Sequence, residues 1–115
     1  MELKSVEEMD GIKVFAFSGY VGRGSEGNAD CVTGALAIQE SGGSKLLLDL
    51  RGIDYEFGDG IGALWVPALA AGRKVAIVAE GGTKAALESL IEQSIPVPVF
   101  AHLEAARNAL LHRQD

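Results

Sequence analysis

Apolar residues along the chain occur in two kinds of pattern: short unbroken runs, and positions spaced by three or four. The clearest examples lie in the middle of the sequence, where the run at residues 46–50 predicts a buried strand and a glycine-rich turn follows it. After the turn, five apolar residues share one predicted helix face: Ile61, Leu64, Trp65, Ala68 and Leu69. We therefore expect Trp65 to be buried. We also expect Gly52 to end the strand, and Pro67 to kink or break the helix because proline removes the bond to the Ala63 carbonyl.

The whole chain alternates between strand and helix patterns. Strands are predicted at residues 1–6, 12–17, 46–50, 74–79 and 97–100, and a helix follows each strand from the second onward. Asp10 and Gly11 predict a two-residue turn, so the first strand should pair antiparallel with the second. Prolines at positions 96 and 98 place the last strand at a sheet edge. The pattern predicts a single α/β domain with a four- or five-stranded, mainly parallel sheet packed against about four helices.

Capping residues predict where two of the helices begin. Ser25 can cap the first helix after a glycine-rich loop at residues 19–27, and Thr83 can cap the third helix. The buried face of the first helix is predicted to contain Val32, Ala35 and Leu36, together with Ile38 or Gln39.

The composition limits the classes of function. A chain of 115 residues with 48% hydrophobic content predicts one folded domain. Its net charge of -6 argues against nucleic acid or an anionic membrane as a partner, since both attract basic surfaces. The single cysteine, Cys31, excludes an internal disulfide and fits a reducing compartment. The first residues lack a signal-peptide pattern and no apolar run approaches the ~20 residues of a membrane span, so we expect a cytoplasmic protein.

One glycine pattern indicates a nucleotide-binding alternative. Gly22, Gly24 and Gly27 match G-x-G-x-x-G between a predicted strand and a predicted helix, and Asp49 follows about 20 positions later. Such a loop could hold a dinucleotide phosphate at the amino terminus of the helix. Three observations favour a plain glycine loop instead: residues 19–21 separate it from the predicted strand, Asp49 lies inside its own strand, and the chain has no second half for a substrate.

The turn before the second helix carries three carboxylates. Asp59 lies at the predicted helix start, where it can accept hydrogen bonds from free backbone N–H groups as a cap worth ~1 kcal/mol. It can also present a fixed negative charge at a binding surface. Asp54 and Glu56 could support acid–base chemistry or metal binding, which leaves a small enzyme as one alternative, but a solvated loop explains them better. Tyr55 and Phe57 fit either core positions or exposed contact positions.

No other group of residues in the sequence indicates catalysis or a bound cofactor. Cys31 with His102 or His112 has no recognised nucleophile pattern, and a small packed side chain explains Cys31 better. Metal-ligand spacing, the G-x-S-x-G turn and the phosphate loop of nucleotide hydrolases are absent from the sequence. We therefore expect no catalytic residue, no cofactor and no bound metal.

From about residue 45 to residue 110, the chain resembles the STAS family, named for sulphate transporters and anti-sigma factor antagonists. Family members have a strand that ends in an Asp-Leu-x-Gly-like phrase, here residues 49–52, and a helix that opens Leu-Gly-x-Leu, here Ile-Gly-Ala-Leu at residues 61–64. The family's Asp-Ser-Ser-Gly-like turn lies between them, and this chain has Phe57, Gly58, Asp59 and Gly60 there. The last strand and the last helix also resemble the family's ending.

The resemblance implies a non-catalytic regulatory module that binds a protein partner, either an anti-sigma kinase or another signalling protein. It assigns partner binding to the turn and the helix after it, with six residues in the turn: Asp54, Tyr55, Phe57, Gly58, Asp59 and Gly60. In antagonists of the family, the serine that matches Asp59 is phosphorylated by the partner kinase, and the phosphate blocks binding. A carboxylate carries about one charge against about -1.5 to -2 for phosphoserine, so Asp59 would imitate the phosphorylated state weakly.

The sequence leaves three function classes open. These are the regulatory module, a small-ligand or nucleotide-binding module that uses residues 22–27, and a small enzyme that uses Asp54, Glu56 and Asp59. A ligand that co-purifies with the protein would favour the second, and turnover lost in Asp59→Asn with the fold intact would favour the third. A homodimer is compatible with all three.

Overall fold

The computed structural model describes residues 2–21, 24–55, 60–91 and 97–112. Within these ranges the chain forms five strands, four α-helices and one 3-10 helix. In chain order they are β1 (Glu2–Met9), β2 (Ile12–Val21), α1 (Gly24–Ser41), β3 (Lys45–Tyr55), the 3-10 helix (Gly60–Leu64), α2 (Val66–Ala70), β4 (Lys74–Val78), α3 (Gly81–Ile91), β5 (Val99–Phe100) and α4 (Leu103–His112).

The strands form one mixed sheet. Their order across the sheet, β1-β2-β3-β4-β5, is the same as their order along the chain. β1 pairs antiparallel with β2, and parallel pairing joins β2 to β3, β3 to β4 and β4 to β5. Asp10 and Gly11 both have positive φ, as a tight hairpin turn between β1 and β2 requires. The predicted α/β fold, with an antiparallel first strand and a mainly parallel sheet, is confirmed.

Two hydrophobic cores lie on opposite faces of the sheet. The first lies under α1, α2, α3 and the 3-10 helix, and Trp65 is only 1% exposed within it, which confirms the prediction of burial. The second core is smaller and lies under α4: Ile12, Val14, Leu47, Ala76, Val78, Ala106 and Leu110. Leu46 and Leu48 belong to the first core and Leu47 to the second, as the alternation of side chains along a strand requires.

Both central strands are longer than the sequence predicted. β2 continues to Val21 and β3 to Tyr55, so Gly52 lies inside β3, and the prediction that it ends the strand is wrong. The register between β2 and β3 shifts after Asp49, which marks a β-bulge. A Cβ atom on Gly52 would lie 3.0 Å from the carbonyl oxygen of Phe17. Glycine is therefore favoured at this position, because the two strands approach closely at the bulge and any side chain would have to displace a neighbour.

α1 differs from its prediction at its start and in its buried face. It begins at Gly24, so Ser25 lies inside the helix, and the prediction of a loop is wrong for residues 19–21 and 24–27. Val32 and Leu36, which were predicted to be buried, are 51% and 53% exposed. The buried face instead consists of Cys31, Ala35 and Ile38, next to the buried Gly34, so the prediction is confirmed for Ala35 and Ile38. Helical spacing gives the same periodicity on neighbouring flanks of a helix, and only packing against the sheet selects the flank that contains Cys31.

The helix after the turn is interrupted just before Pro67, and the sequence predicted a kink or break at this proline. The 3-10 helix ends at Leu64 and α2 begins at Val66, with Pro67 in its first turn. Pro67 has no N–H group to donate, and the first turn of a helix is where this loss costs least. Trp65 lies between the two helices and stays buried, so the interruption does not expose it to solvent.

The last elements follow the prediction with one correction. α3 begins at Gly81, so Thr83 lies in its first turn and not at the cap that the sequence predicted. β5 lies at the edge of the sheet, as the neighbouring prolines predicted. Across the described residues, no helix is both long enough and apolar enough to span a membrane.

Candidate partner-binding site

The carboxyl ends of β2 and β3 extend beyond the rest of the sheet. β3 pairs with β4 only as far as Asp49, whereas its pairing with β2 continues from Gly52 to Tyr55. The result is a two-stranded ribbon at the carboxyl ends of the strands, and this is where ligands and partners of α/β proteins usually bind. We call it the β2–β3 ribbon; it consists of residues 18–21 and 52–55.

Tyr20 and Asp54 are neighbours on this ribbon. The pairing register places them opposite each other, and 53% of Tyr20 is exposed. Asp54 is exposed as well. Sequence reasoning placed Asp54 in the site but missed Tyr20, because it assigned Tyr20 to a glycine-rich loop. Only the pairing with a strand more than thirty residues away places this aromatic residue opposite Asp54.

The predicted site residues begin at the tip of the ribbon. Asp54 and Tyr55 are the last residues of β3, and Gly60 opens the 3-10 helix. The turn between them lies outside the described residues: Glu56, Phe57, Gly58 and Asp59. The cap predicted for Asp59, and the assignment of partner binding to this turn, therefore stay predictions.

The glycine pattern starts from the same tip. β2 ends at Val21, which lies opposite Tyr55, and α1 begins at Gly24. Residues 19–21 belong to the strand, so the argument that they separate the strand from the glycines is wrong. Gly22 and its neighbour at position 23 lie outside the described residues. The acidic turn and the glycine segment, predicted as two separate candidate sites, thus leave the sheet from neighbouring strand ends.

A buried hydroxyl group holds the base of the ribbon. The Oγ1 atom of Thr83 donates a hydrogen bond of 2.9 Å to the carbonyl oxygen of Ile53. Ile53 lies beyond the point where β4 stops pairing with β3, so this carbonyl has no partner in β4. The hydroxyl of Thr83 takes the place of the missing strand and links the start of α3 to the residue just before Asp54.

An ion pair lies on the α4 side of the sheet, in the part of β3 that precedes the β2–β3 ribbon. The Nε and Nη2 atoms of Arg51 donate hydrogen bonds of 2.9 and 2.8 Å to the carboxylate of Asp49. Burial by itself raises the pKa of Asp49, but the hydrogen bonds and charge of Arg51 outweigh it and hold that pKa below its ordinary value. The hydrogen bond to Asp49 in turn raises the pKa of Arg51. Asp49, the acidic residue of the dinucleotide pattern, is therefore already bound to a side chain of its own strand.

The other chemically reactive side chains are dispersed. Cys31 is fully buried in the first core, as expected for a packed side chain. His102 is exposed just before α4, and the side chain of His112 is not among those described. In the ranges that the structure describes, no group of three His, Cys, Asp or Glu side chains could hold a metal ion.

The hairpin that leads into a parallel sheet, with three α-helices on one face and a final helix on the other, is the STAS fold of anti-sigma factor antagonists. An anti-sigma factor antagonist from Mycobacterium paratuberculosis matches with a TM-score of 0.69 and 18% identity, over 93% of this chain and 92% of that chain. The anti-sigma factor antagonist SpoIIAA in its unphosphorylated form matches with a TM-score of 0.61 and 10% identity, over 94% of this chain and 97% of that chain.

At these identities the likeness establishes the fold alone. No protein-family model matches the sequence, and no curated protein matches it.

Proposed function

We propose that this chain is a non-catalytic regulatory module that binds a protein partner through residues 54–60 and the helix that follows them. The observation that carries the proposal is the exposed pair of Tyr20 and Asp54 on the β2–β3 ribbon, in a fold shared with anti-sigma factor antagonists. Aromatic residues are enriched at the centres of protein interfaces, so an exposed aromatic residue paired with an exposed acidic residue supports a contact surface here.

The charge at this edge indicates the chemistry of the partner. Asp54, Glu56 and Asp59 place three carboxylates within a short stretch of sequence, and the chain as a whole carries a net charge of -6. A partner with a basic surface would be attracted to this edge, and salt would weaken the attraction. An anti-sigma kinase or another signalling protein is the partner class that the STAS resemblance implies. The single cysteine supports a cytoplasmic setting.

Asp59 is proposed as a fixed negative charge in place of a switchable one. Aspartate cannot be phosphorylated by a serine kinase, and its single charge is smaller than that of phosphoserine. If Asp59 weakly imitates a phosphorylated serine, Asp59→Ser should strengthen binding to a partner that prefers the unphosphorylated state. The substitution keeps a capping oxygen, so stability should change by less than ~1 kcal/mol.

The test is affinity capture from a lysate of the native host with four purified forms of the chain: wild type, Asp59→Ser, Tyr20→Ala and Glu104→Ala. Glu104 is exposed on α4, outside residues 54–60 and outside the β2–β3 ribbon, and serves as the control. We expect one protein whose recovery rises with Asp59→Ser, falls at least about tenfold with Tyr20→Ala and stays unchanged with Glu104→Ala. Equal recovery of every captured protein by all four forms would contradict the proposal.

A small-ligand module is the second candidate, and one observation favours it. β2 reaches Val21 and α1 begins at Gly24, so the glycine pattern in the sequence connects the end of a strand to the start of a helix, where phosphate-binding patterns occur. Calorimetry with NAD and with GTP tests it. Micromolar binding that Gly24→Val abolishes would place this candidate first, and the absence of heat from both ligands would remove it.

A further inference from the structure

Basic side chains gather at the edge of the sheet where the parallel strands begin. Lys45 is the first residue of β3, Lys74 is the first residue of β4, and Lys13 is the second residue of β2. Arg73 immediately precedes β4. We call these four residues the basic edge, and they are four of the ten lysine and arginine residues in a chain whose net charge is -6. The candidate partner-binding site lies at the opposite ends of the same strands, so the two surfaces are separate.

The pairing of the strands places basic residues on both sides of this edge. Lys45 lies directly opposite Lys74 in the register of β3 and β4. The residues that follow them, Leu46 and Val75, belong to the first core, so alternation along the strands places the two lysines on the α4 side. Lys13 lies opposite Leu46 and is therefore on the other side, toward α1. Like charges directly opposite each other destabilise a sheet, and a bound anion would relieve their repulsion.

Arg73 is held in a fixed position on the same side as Lys13. Its Nε atom donates a hydrogen bond of 2.6 Å to the carbonyl oxygen of Gly43, and its Nη1 atom donates one of 3.1 Å to that of Ile38. Its Nη2 atom donates to the carbonyl oxygen of Gly42. These bonds cap the end of α1, and each of the two amino groups has a second N–H beyond the one that it donates here.

A single glycine lies between the two basic side chains on the α1 side. A Cβ atom on Gly43 would lie 3.0 Å from the Cγ atom of Lys13 and 4.0 Å from the Nη2 atom of Arg73. Of the ion pairs between described residues, none includes Lys13, Lys45 or Arg73. Glu8 lies opposite Lys13 in the hairpin, yet no ion pair joins the two. The charges of these three basic side chains are therefore available to a partner.

We infer that the basic edge binds an extended acidic segment of another protein. The side chains of an extended segment alternate between its two sides, and the cations of the basic edge lie on both sides of the sheet. The three strands that carry them span about 10 Å, which is the length of about three extended residues. A compact anion would reach the cations of one side only. The inference goes beyond the proposed function, which names a basic partner at the opposite ends of the strands.

Fluorescence anisotropy of a labelled hexaglutamate peptide, titrated with the purified chain, is the test. A labelled hexaglutamine peptide is the uncharged control probe and should not bind. We expect saturable binding of hexaglutamate in about 20 mM salt and an affinity at least about tenfold lower in about 500 mM salt, because salt screens exposed charges.

Two substitutions each remove one cation from one side of the edge. Lys13→Gln and Lys45→Gln should each raise the dissociation constant at least about threefold, and the double variant at least about tenfold, as expected for exposed ion pairs. Arg73 stays in every variant because it also caps α1. Lys84→Gln is the matched control: it makes the same change in net charge, but Lys84 follows Thr83 in the first turn of α3, which contacts the β2–β3 ribbon at the opposite ends of the strands.

The inference is supported if Lys84→Gln binds hexaglutamate as wild type does, while the variants of the basic edge lose affinity with unchanged circular dichroism. It is overturned if wild type at up to about 1 mM does not bind hexaglutamate, or if the double variant binds as tightly as wild type. Equal losses in Lys84→Gln would also overturn it, because net charge alone would then explain the binding. So would displacement of the labelled peptide by pyrophosphate as effectively as by unlabelled hexaglutamate, since a compact anion would then suffice. If the double variant fails to fold, the two single variants decide.

Discussion

The two faces of the sheet are built differently. On one face, α1, α2, α3 and the 3-10 helix enclose a core that contains Phe15, Phe17 and Trp65. On the other face, α4 alone covers a smaller core whose fully buried members are aliphatic. Beyond the cover of α4, that second face carries the ion pair of Asp49 and Arg51. On the face under α1, α2 and α3, the side chains of β3 are hydrophobic along the strand. On the face under α4, they change from apolar to charged.

We therefore expect the two faces to contribute differently: one mainly to stability, and the other to the charged surface of the sheet. The face with more helices buries the largest side chains and should account for most of the free energy of unfolding. The face with one helix can hold charged residues on a central strand because Asp49 and Arg51 pair with each other there, and 41% of the Arg51 side chain is exposed to water. The predictions below test this division, from the largest expected effect to the smallest.

Trp65→Ala should have the largest effect on stability. Trp65 is 1% exposed in the first core, and truncation of such a side chain to alanine typically costs ~3–5 kcal/mol. Urea denaturation should be followed by circular dichroism, because the variant lacks the only tryptophan of the chain. Val66→Ala, at a 42% exposed neighbour, is the control and should cost less than ~1 kcal/mol. A loss below about 1 kcal/mol for Trp65→Ala would show that this face is not the main source of stability.

Leu110→Ala tests the second core in the same way. Leu110 is fully buried under α4, and its truncation should cost ~2–3 kcal/mol, less than Trp65→Ala because fewer elements surround it. Asn108→Ala, at an exposed position of the same helix, should leave stability within about 0.5 kcal/mol. A larger loss for Leu110→Ala than for Trp65→Ala would reverse the comparison of the two faces.

Thr83→Val should weaken the link between α3 and the β2–β3 ribbon. The substitution keeps the shape of the side chain but leaves the Ile53 carbonyl without this donor, at a cost of ~1–3 kcal/mol. Thr83→Ser keeps the hydroxyl and should cost less than half as much. Amide hydrogen exchange should show faster exchange at residues 53–55 in the valine variant only. Equal exchange in both variants would mean that the hydroxyl does not hold the ribbon.

Asp49→Asn should have the smallest effect and a characteristic dependence on pH. The pKa of Asp49 is lowered in the folded state, so its contribution to stability is present above the ordinary pKa of about 3.9 and is lost as pH falls through the lower folded pKa. Near neutral pH the free energy of unfolding of wild type should exceed that of the variant by less than ~1 kcal/mol, because Arg51 is 41% exposed and water screens its attraction to Asp49. The difference should shrink below about pH 4. Arg51→Gln should produce the same loss, and stability curves that stay parallel down to acid pH would rule out this contribution.

Much of the fold follows from patterns within single elements. The alternation of strands and helices, the Asp10 and Gly11 turn and the burial of Trp65 each depend on neighbours in sequence, and each is confirmed. The break before Pro67 is confirmed as well, because the missing N–H group acts on its own helix. These features are local, and the chemistry of a few residues determines them.

What the sequence could not show depends on contacts between distant residues. Gly52 appeared to end a strand, yet it allows β2 and β3 to approach at a bulge. Tyr20 joins the candidate site only through its pairing with Asp54. Thr83 donates a hydrogen bond to the carbonyl of Ile53, thirty positions earlier in the chain. Val32 and Leu36 appeared to be core residues because their spacing is helical, but spacing does not determine which of two adjacent flanks faces the sheet.

The order of the strands has a consequence for how the protein is made. Because the order across the sheet is the order along the chain, each strand leaving the ribosome can add to the edge formed just before it. The first core can begin to close once α1 and β3 have emerged. The apolar patch under α4 stays bare until Ala106 and Leu110 have been synthesised. During that interval Leu47, Ala76 and Val78 lack the helix that covers them in the folded chain, so this face of the sheet is the one most exposed to aggregation during synthesis.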